Sequence, residues 1–486
     1  MSVAINQKNL ALLPKTISIP DYDRAKLTPG IVHFGVGNFH RAHMAVYLDR
    51  LFALGEAHDW AIIGAGVLPA NRDMRARLEA QDWLTTVVEL DPEALTARVA
   101  CSMIDFLPVD PAPILAALTD PAIRVVSLTV TEGGYYIDAA TGGLAASHPD
   151  IAADAADPDA PRTVFGLIVR ALKARKAAGT APFAVLSCDN LPGNGHLTKQ
   201  TVVALARLSD PAFADWIATH VAFPNSMVDC ITPATTEREL RLVEERFGVL
   251  DAAPVVCEPF RQWVIEDNFP SGRPPLEKVG VEFVEDVSGH ELMKLRILNA
   301  SHASICYAAA LLGHHFVHDA MADPEILAFL RALQTREAIP TLRPLAGVDY
   351  GVYLDTVLAR FRNPEIGDTI PRLAVDGSDR QPKFILPTVR DALAAGAPVE
   401  GLALEVALWF WYLRGVDEAG APIGIVDSRR GDLERRVGRG PGAFLANPEV
   451  FGDLGDDPRF AGPFVRWTDR LGAVGVRETL RDYAAG

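Results

Sequence analysis

Four short apolar runs, each followed by a stretch of helical spacing, constrain the first half of this chain more than any other feature. GIVHFGVG (30–37), WAIIGAG (60–66), RVVSLTV (124–130) and FAVLSCDN (183–190) are apolar and rich in β-branched residues. Runs of this kind read as strands buried on both faces. Between the first two lies AHMAVYLDRLFALG, whose apolar spacing and closing Gly55 predict a helix. Strand, helix and strand repeated in this order predict an α/β chain with a doubly wound parallel sheet, helices on both faces.

The pattern changes along the chain. HPDIAADAADPDAPRT (148–163) and EDNFPSGRPPLEKVG (266–280) read as surface excursions, the second as the junction between domains. Beyond about residue 285 the runs become long and helical, as in HELMKLRILNASHASICYAAALLG and LEVALWFWYLRG. The expected organisation is a sheet domain over 1–284 and a mainly α-helical domain over 285–486. With 486 residues, 49% hydrophobic and 22% charged, the chain has ample apolar surface for two cores.

Charge narrows the partners. Lys and Arg number 46 against 62 Asp and Glu, a net charge of −16, so the average field repels nucleic acid and anionic membranes. No window approaches the roughly 18 uninterrupted apolar residues of a membrane span. The N-terminal MSVAINQKNLALLPKTISIP lacks the basic region, apolar run and cleavage site of a secretory signal. Cys101, Cys188, Cys230, Cys257 and Cys306 are odd in number, far apart and without a C-x-x-C pair, which fits a reducing cytoplasm.

Gly35-Val-Gly37-Asn38-Phe39-His40-Arg41 follows the first strand and opens a helix. In this context a glycine turn lets backbone N–H groups and a helix N-terminus meet a pyrophosphate. The fingerprint is incomplete, because His40 stands at the third glycine position, while Arg41 adds positive charge. The alternative is a tight turn of the kind found in any α/β protein. After the second strand, Gly64-Ala-Gly66-Val-Leu-Pro-Ala70-Asn71-Arg72 has no acid before Asp73 to hold a ribose 2′-hydroxyl. NADP therefore stays open beside NAD.

Lys294-Leu-Arg-Ile-Leu-Asn299-Ala-Ser-His302 is the most informative stretch for chemistry. At about 100° per residue, with Lys294 at zero, Asn299 falls near about 140° and His302 near about 80°, so all three share one wedge of a helix that is otherwise largely apolar. Burial of such a lysine favours the neutral amine, a base able to deprotonate an alcohol while hydride leaves its carbon. Asn299 and Asn190, the latter at the end of the fourth strand, are candidate donors to an oxygen gaining alkoxide character. The plain alternative is a surface lysine with satisfied structural neighbours. His314 and His318 sit at i and i+4 without a third ligand at motif spacing, so no metal is expected.

Together these segments closely resemble the mannitol dehydrogenase family of polyol-specific long-chain dehydrogenases. The likeness is carried by Gly35 to His43, Thr131-Glu-Gly-Gly-Tyr135, Ser187-Cys-Asp-Asn-Leu-Pro192, Phe223 to Asp229, Cys257-Glu-Pro-Phe260 and Lys294 to His302. It implies an N-terminal Rossmann-like domain, a helical C-terminal domain, an active site between them and no zinc. It also implies that Lys294 is the general base, Asn190 and Asn299 the oxyanion pair, His302 a substrate ligand and Glu291 a proton-exchange group. For the cofactor, NAD first, the resemblance points to Gly35 through Arg41, Glu132 and Asp229.

The stretch Phe361 to Arg372, followed by Asp376 to Pro387, resembles the mannitol-oxidising branch more than the fructuronate-reducing one, with Arg372 and Arg380 as substrate groups. The expected reaction moves hydride between C2 of a hexitol, D-mannitol giving D-fructose, and a nicotinamide. The alternatives are fructuronate or tagaturonate reduction, D-arabinitol or sorbitol oxidation, and a non-catalytic nucleotide-binding sensor. The expected assembly is a monomer or small homo-oligomer.

Overall fold

A computed structural model describes residues 2–138 and 140–486. It divides into two compact units, Met1–Ser288 and Gly289–Gly486. The first unit is built on five parallel strands, β1 (Pro29–Phe34), β2 (Ala61–Ala65), β3 (Met103–Phe106), β4 (Val125–Leu128) and β5 (Ala184–Ser187). Their order across the sheet is β3-β2-β1-β4-β5. This is the Rossmann order, in which the winding reverses between β1 and β4 and ligands bind beyond the carboxyl ends at that reversal.

Alternation along each strand explains why helices cover both faces. Val32, Val126 and Val185 pack into one core with Leu167, Ile168, Ile114 and Leu118. Their neighbours Ile31, Val125 and Leu186 pack into another with Met44, Leu48, Phe52 and Trp263. Two faces buried against two cores require the continuous apolar runs seen in the sequence.

Three local expectations are corrected. The stretch 148–163 contains a helix, Pro149–Ala156, capped by His148. Its Asp154 is buried and accepts from the N–H groups of Arg162 and Thr163 at 2.7 and 3.1 Å, folding the acidic, proline-rich segment back on itself. Residues 266–280 lie inside the first unit, where Leu276 packs with Ile31 and Trp263. The helix expected over 42–55 is present as α2 (Met44–Ala53), its start moved to Met44 by a break at His43 after the short α1 (Asn38–Ala42). His43 is pinned by a 3.0 Å bond to the Gln262 carbonyl and a stack on Phe39.

The second unit is helical throughout, around one large core. Helix α3 (Ser288–Met293) runs into a π-helical turn over Lys294–Asn299 and then α4 (Ala300–Leu311). Helix α5 (Glu400–Tyr412) is buried nearly all round and packs against α6 (Pro458–Ala485), as an apolar helix without a polar face must. Among the described residues no helix is long and apolar enough to cross a membrane.

Within α5 one carboxyl is fully buried. Glu405 accepts from Gln381 Nε2 at 2.7 and 2.9 Å, and burial pushes it up to about 8 from an ordinary 4.5. The folded chain therefore keeps a proton that the unfolded chain gives up, so the associated stability is whole below pH 4.5 and drains away as pH rises toward 8. Glu405→Gln carries no such proton. Relative to the parent chain its Tm should improve by about 3 °C or more between pH 5 and pH 8. An offset that stays constant with pH would show that Glu405 does not titrate on unfolding.

Candidate functional site

The turn after β1 is specified by steric exclusion. Gly35 has φ +96°, and a Cβ there would stand 2.0 Å from the Thr129 carbonyl oxygen, so only glycine fits. Gly37 is the N-cap of α1, and a Cβ there would meet nothing nearer than 3.9 Å. The space above it is open, as a closely approaching pyrophosphate requires, and the first N–H groups of α1 have no partner within their own helix. These residues fit a dinucleotide.

The side chains of the turn are mostly turned inward. His40 is buried and stacks on His33 of β1 with ring centroids 3.5 Å apart, filling the gap that a third glycine would close by bringing helix and strand together. Burial holds both rings neutral, His33 down at about 3. Arg41, expected to offer its charge to phosphates, is 1% exposed. It donates to the carbonyls of Gly37 and Ala253 and to Asn38 Oδ1, and burial brings its guanidinium down to about 10. Its charge lies beneath the turn and braces it. Asn38 donates to Pro233 O at 3.1 Å and Thr235 Oγ1 at 2.9 Å, and Phe39 lies on His43. Asn71, where an acid was missing, caps the next helix by accepting from Leu68 N–H at 2.9 Å.

Beyond β4, Thr131 has φ +66°, a costly conformation for a β-branched residue. Asp189 holds it there. Its carboxyl accepts from Thr131 N–H at 2.8 Å, Val130 N–H at 3.1 Å and Tyr135 Oη at 2.7 Å, and burial pushes it up against the pull of these donors. This fixes the backbone of Glu132, which is exposed on the following short turn, at the carboxyl edge of the sheet. Asn190, next to Asp189, is exposed beyond β5. Asp229 is buried at the end of the strand Ser226–Asp229, paired in register with Gln262. Asp189 escaped the sequence reading although it lies in the same four-residue segment as Asn190. The available signal was its two-residue spacing from Ser187, which also bonds Tyr135.

In the second unit Lys294 is 8% exposed and opens the π-helical turn, which Ala300 N–H closes onto the Leu295 carbonyl five residues back. The α-helical wheel is corrected accordingly. A turn closed over five residues instead of four brings Asn299 round toward the line of Lys294. The turn is supported from outside, where Gln334 Nε2 donates to the Arg296 carbonyl at 3.0 Å. Asn299 Oδ1 is buried with no hydrogen-bond partner among the described residues, an acceptor positioned for an O–H donor. Glu291 sits one turn before Lys294, on α3.

His302 stacks on Phe361 at 3.9 Å, and burial brings its ring down to about 3. Neutral, it offers one donor and one acceptor. Asp368, Arg372, Arg360 and Arg380 all act electrostatically on it, so they share its neighbourhood. Arg372 forms a two-pronged pair with Asp368 at 2.6 and 2.5 Å. Arg380 donates to the Leu373 carbonyl. His314 bonds Asp323 at 3.1 Å, and Arg477 shares that carboxylate.

The two glycines of the turn predict opposite behaviour. Gly35→Ala should cost at least about 2 kcal/mol in urea denaturation of the free protein. Gly37→Ala should stay within about 1 kcal/mol of the parent, the size of an N-cap effect, yet weaken NADH in a fluorescence titration. Equal stability losses would place Gly37 in the scaffold alone.

Comparison with known proteins agrees with both halves of this description. The model of the mannitol dehydrogenase Rossmann domain matches residues 29–278, and that of the mannitol dehydrogenase C-terminal domain matches 286–471. A mannitol 2-dehydrogenase of Cereibacter sphaeroides is 52% identical over 97% of this chain and 100% of its own length. The solved ternary complex of Pseudomonas fluorescens mannitol 2-dehydrogenase with NAD and D-mannitol is 42% identical, covers 99% of each chain and superposes with a TM-score of 0.84. A D-sorbitol dehydrogenase solved in substrate-free form is 36% identical over 98% of this chain and 100% of that one, with a TM-score of 0.94. With both domain models matched and relatives alike over nearly the whole length, the chain belongs to the mannitol dehydrogenase family.

Proposed function

We propose that this chain is an NAD-linked polyol dehydrogenase interconverting D-mannitol and D-fructose in the cytoplasm. The observation that carries the reading is Lys294, buried on a π-helical turn with the unpartnered Asn299 Oδ1 on the same turn. The names of the similar proteins support the substrate and cofactor. NAD, held at the turn from Gly35 to Asn38 with Glu132 and Asp229 nearby in the same unit, supplies the hydride acceptor when bound. NADP is the second coenzyme to test, since Asn71 stands where an acid would reject a 2′-phosphate.

In the proposed mechanism Lys294 Nζ accepts the proton of the C2 hydroxyl. Asn299 donates its amide N–H group to that oxygen as negative charge develops on it. His302, neutral across the working range, bonds a neighbouring hydroxyl through its donor and its acceptor. Glu291 relays the proton from Lys294 toward solvent. In the reverse direction the protonated lysine returns the proton to the carbonyl oxygen.

The pair between Arg372 and Asp368 withdraws one of the cations near His302 from a hexonate carboxylate. A carboxylate substrate needs a cation with charge to spare, whereas Arg372 is already neutralised by Asp368, itself about one-tenth exposed. A hydroxyl needs only a donor or acceptor, which the pair still offers.

Initial rates of fructose reduction with NADH and NADPH in parallel, and of oxidation of mannitol, sorbitol, arabinitol and mannonate, test the assignment. NADH and mannitol should give the highest kcat/KM, and dominance of mannonate would overturn the polyol reading. Lys294→Ala should lower kcat by about 10²–10⁴-fold, the range of general acid–base catalysis, with NADH affinity near that of the parent. Equal loss of both would make Lys294 structural. Because the His302 ring stays neutral down to about 3, the kcat/KM profile of His302→Gln should keep its limbs between pH 6 and 9 at a lower plateau. A limb that disappears would assign that titration to His302.

A further inference from the structure

Cys257-Glu-Pro-Phe260 carries the family likeness yet has no part in the proposed chemistry. Cys257 ends the strand Val255–Cys257, and Cys230 follows Ser226–Asp229. The two belong to one small core, and each thiol acts electrostatically on the other. The residues just after them hold them side by side: Glu258 N–H donates to the Ile231 carbonyl at 2.9 Å, and Ile231 N–H donates to Glu258 Oε1 at 2.5 Å. Thr232 Oγ1 donates to Cys230 Sγ at 3.8 Å.

Arg261 completes the cluster. One terminal nitrogen lies 3.1 Å from Cys257 Sγ, the other 2.7 Å from Glu89 Oε1, and Nε donates to the Ala42 carbonyl at 2.7 Å. Ala42 is the last residue of α1, the helix opened by the glycine turn. One buried guanidinium therefore ties the thiol pair to that helix. Neighbouring Cys230 and the charge of Arg261 hold the Cys257 thiol below its ordinary range, while Cys230 is pushed up. Burial pushes up the thiols of Cys101, Cys188 and Cys306.

We propose that Cys230 and Cys257 form a peroxide-responsive dithiol, with Arg261 carrying its oxidation state to α1. The sulfur of the Cys257 thiolate attacks one oxygen of hydrogen peroxide. An S–O bond forms, the O–O bond breaks and hydroxide leaves, giving a sulfenic acid. The sulfur of Cys230 then attacks Cys257, the S–S bond forms, the S–O bond breaks, and hydroxide with the Cys230 proton departs as water. The pair loses two electrons and peroxide is reduced to water. Cys257 is fully buried and Cys230 is 8% exposed, so a small neutral oxidant fits this enclosed pair and a bulky disulfide does not. The disulfide has no negative charge for Arg261, whose fork is then released from one of its three anchors.

Only the consequence for coenzyme rests on the proposed function; the disulfide itself does not. Full-length protein treated with hydrogen peroxide, alkylated under denaturing conditions and digested should yield a Cys230–Cys257 disulfide peptide, lost in Cys230→Ser and in Cys257→Ser and reversed by dithiothreitol. Amide exchange in residues 38–42 should quicken on oxidation, and NADH should bind about tenfold more weakly, as expected when one charged hydrogen bond supporting a helix is lost. Thiols that both remain alkylatable after peroxide would overturn the proposal. A disulfide that forms while exchange in 38–42 is unchanged would overturn the role of Arg261. Mannitol oxidation by untreated protein reports separately on the proposed function, so either idea can fail without the other.

Discussion

The closest approach that shapes this protein is between two backbones, at Gly35 and the Thr129 carbonyl. Strands β1 and β4 lie side by side in register, Phe34 beside Leu128, and Thr129 N–H still donates to the Phe34 carbonyl at 2.9 Å. Absence of a side chain at Gly35 lets the first turn pass close to the second. Everything at the carboxyl edge follows from that contact. His40 fills the space behind the turn, Arg41 braces it from beneath, and Asp189 holds the second loop against its own strain. A ligand at this edge meets backbone fixed in advance, so little ordering cost is left for binding.

The second unit solves a different problem, how to bury polar groups inside a helical core. Three π-helical segments, Lys294–Asn299, Gln334–Ala338 and Gln381–Ile385, interrupt its helices. A turn of this kind frees a carbonyl from its usual partner, and here a glutamine from one such segment answers the need of another: Gln334 bonds the Arg296 carbonyl. Gln381 opens the third and is the hydrogen-bonding partner of the buried Glu405. Such turns recur at functional positions because they redirect one side chain while the helix continues on either side. Lys294 sits at the first residue of the first of them.

The architecture was legible because its signals are local. Continuous apolar runs bounded by glycine fix strands buried on both faces, and the alternation of Ile31 with Val32 into separate cores is the physical content of that pattern. Candidate side chains could be named from the sequence, but their local geometry could not. A wheel at constant pitch set Lys294 and Asn299 about 140° apart, since nothing in the local spacing announces a π-turn whose support comes from Gln334, far along the chain. Arg41 reads as a cation for phosphates, but its three anchors include the carbonyl of Ala253, a contact no motif encodes. Asp368 was missed although it lies four residues before Arg372, a spacing that offers an ion pair locally; only its place near His302 needed the fold.

Charge distribution bears on substrate class independently of likeness. The chain is acidic overall, at −16, yet Arg360, Arg372 and Arg380 gather around His302. A pocket built to bind an anion gains from cations left uncompensated, because a desolvated charge pair is strong only when neither partner is already satisfied. Arg372 is instead locked to Asp368 through both oxygens. Such a pair is nearly neutral at a distance but presents polar edges at close range. Hydroxyl groups, which donate and accept alike, match those edges without displacing either ion. A substrate carrying many hydroxyls and no net charge is also indifferent to the long-range field of an acidic surface, so its arrival needs no electrostatic steering.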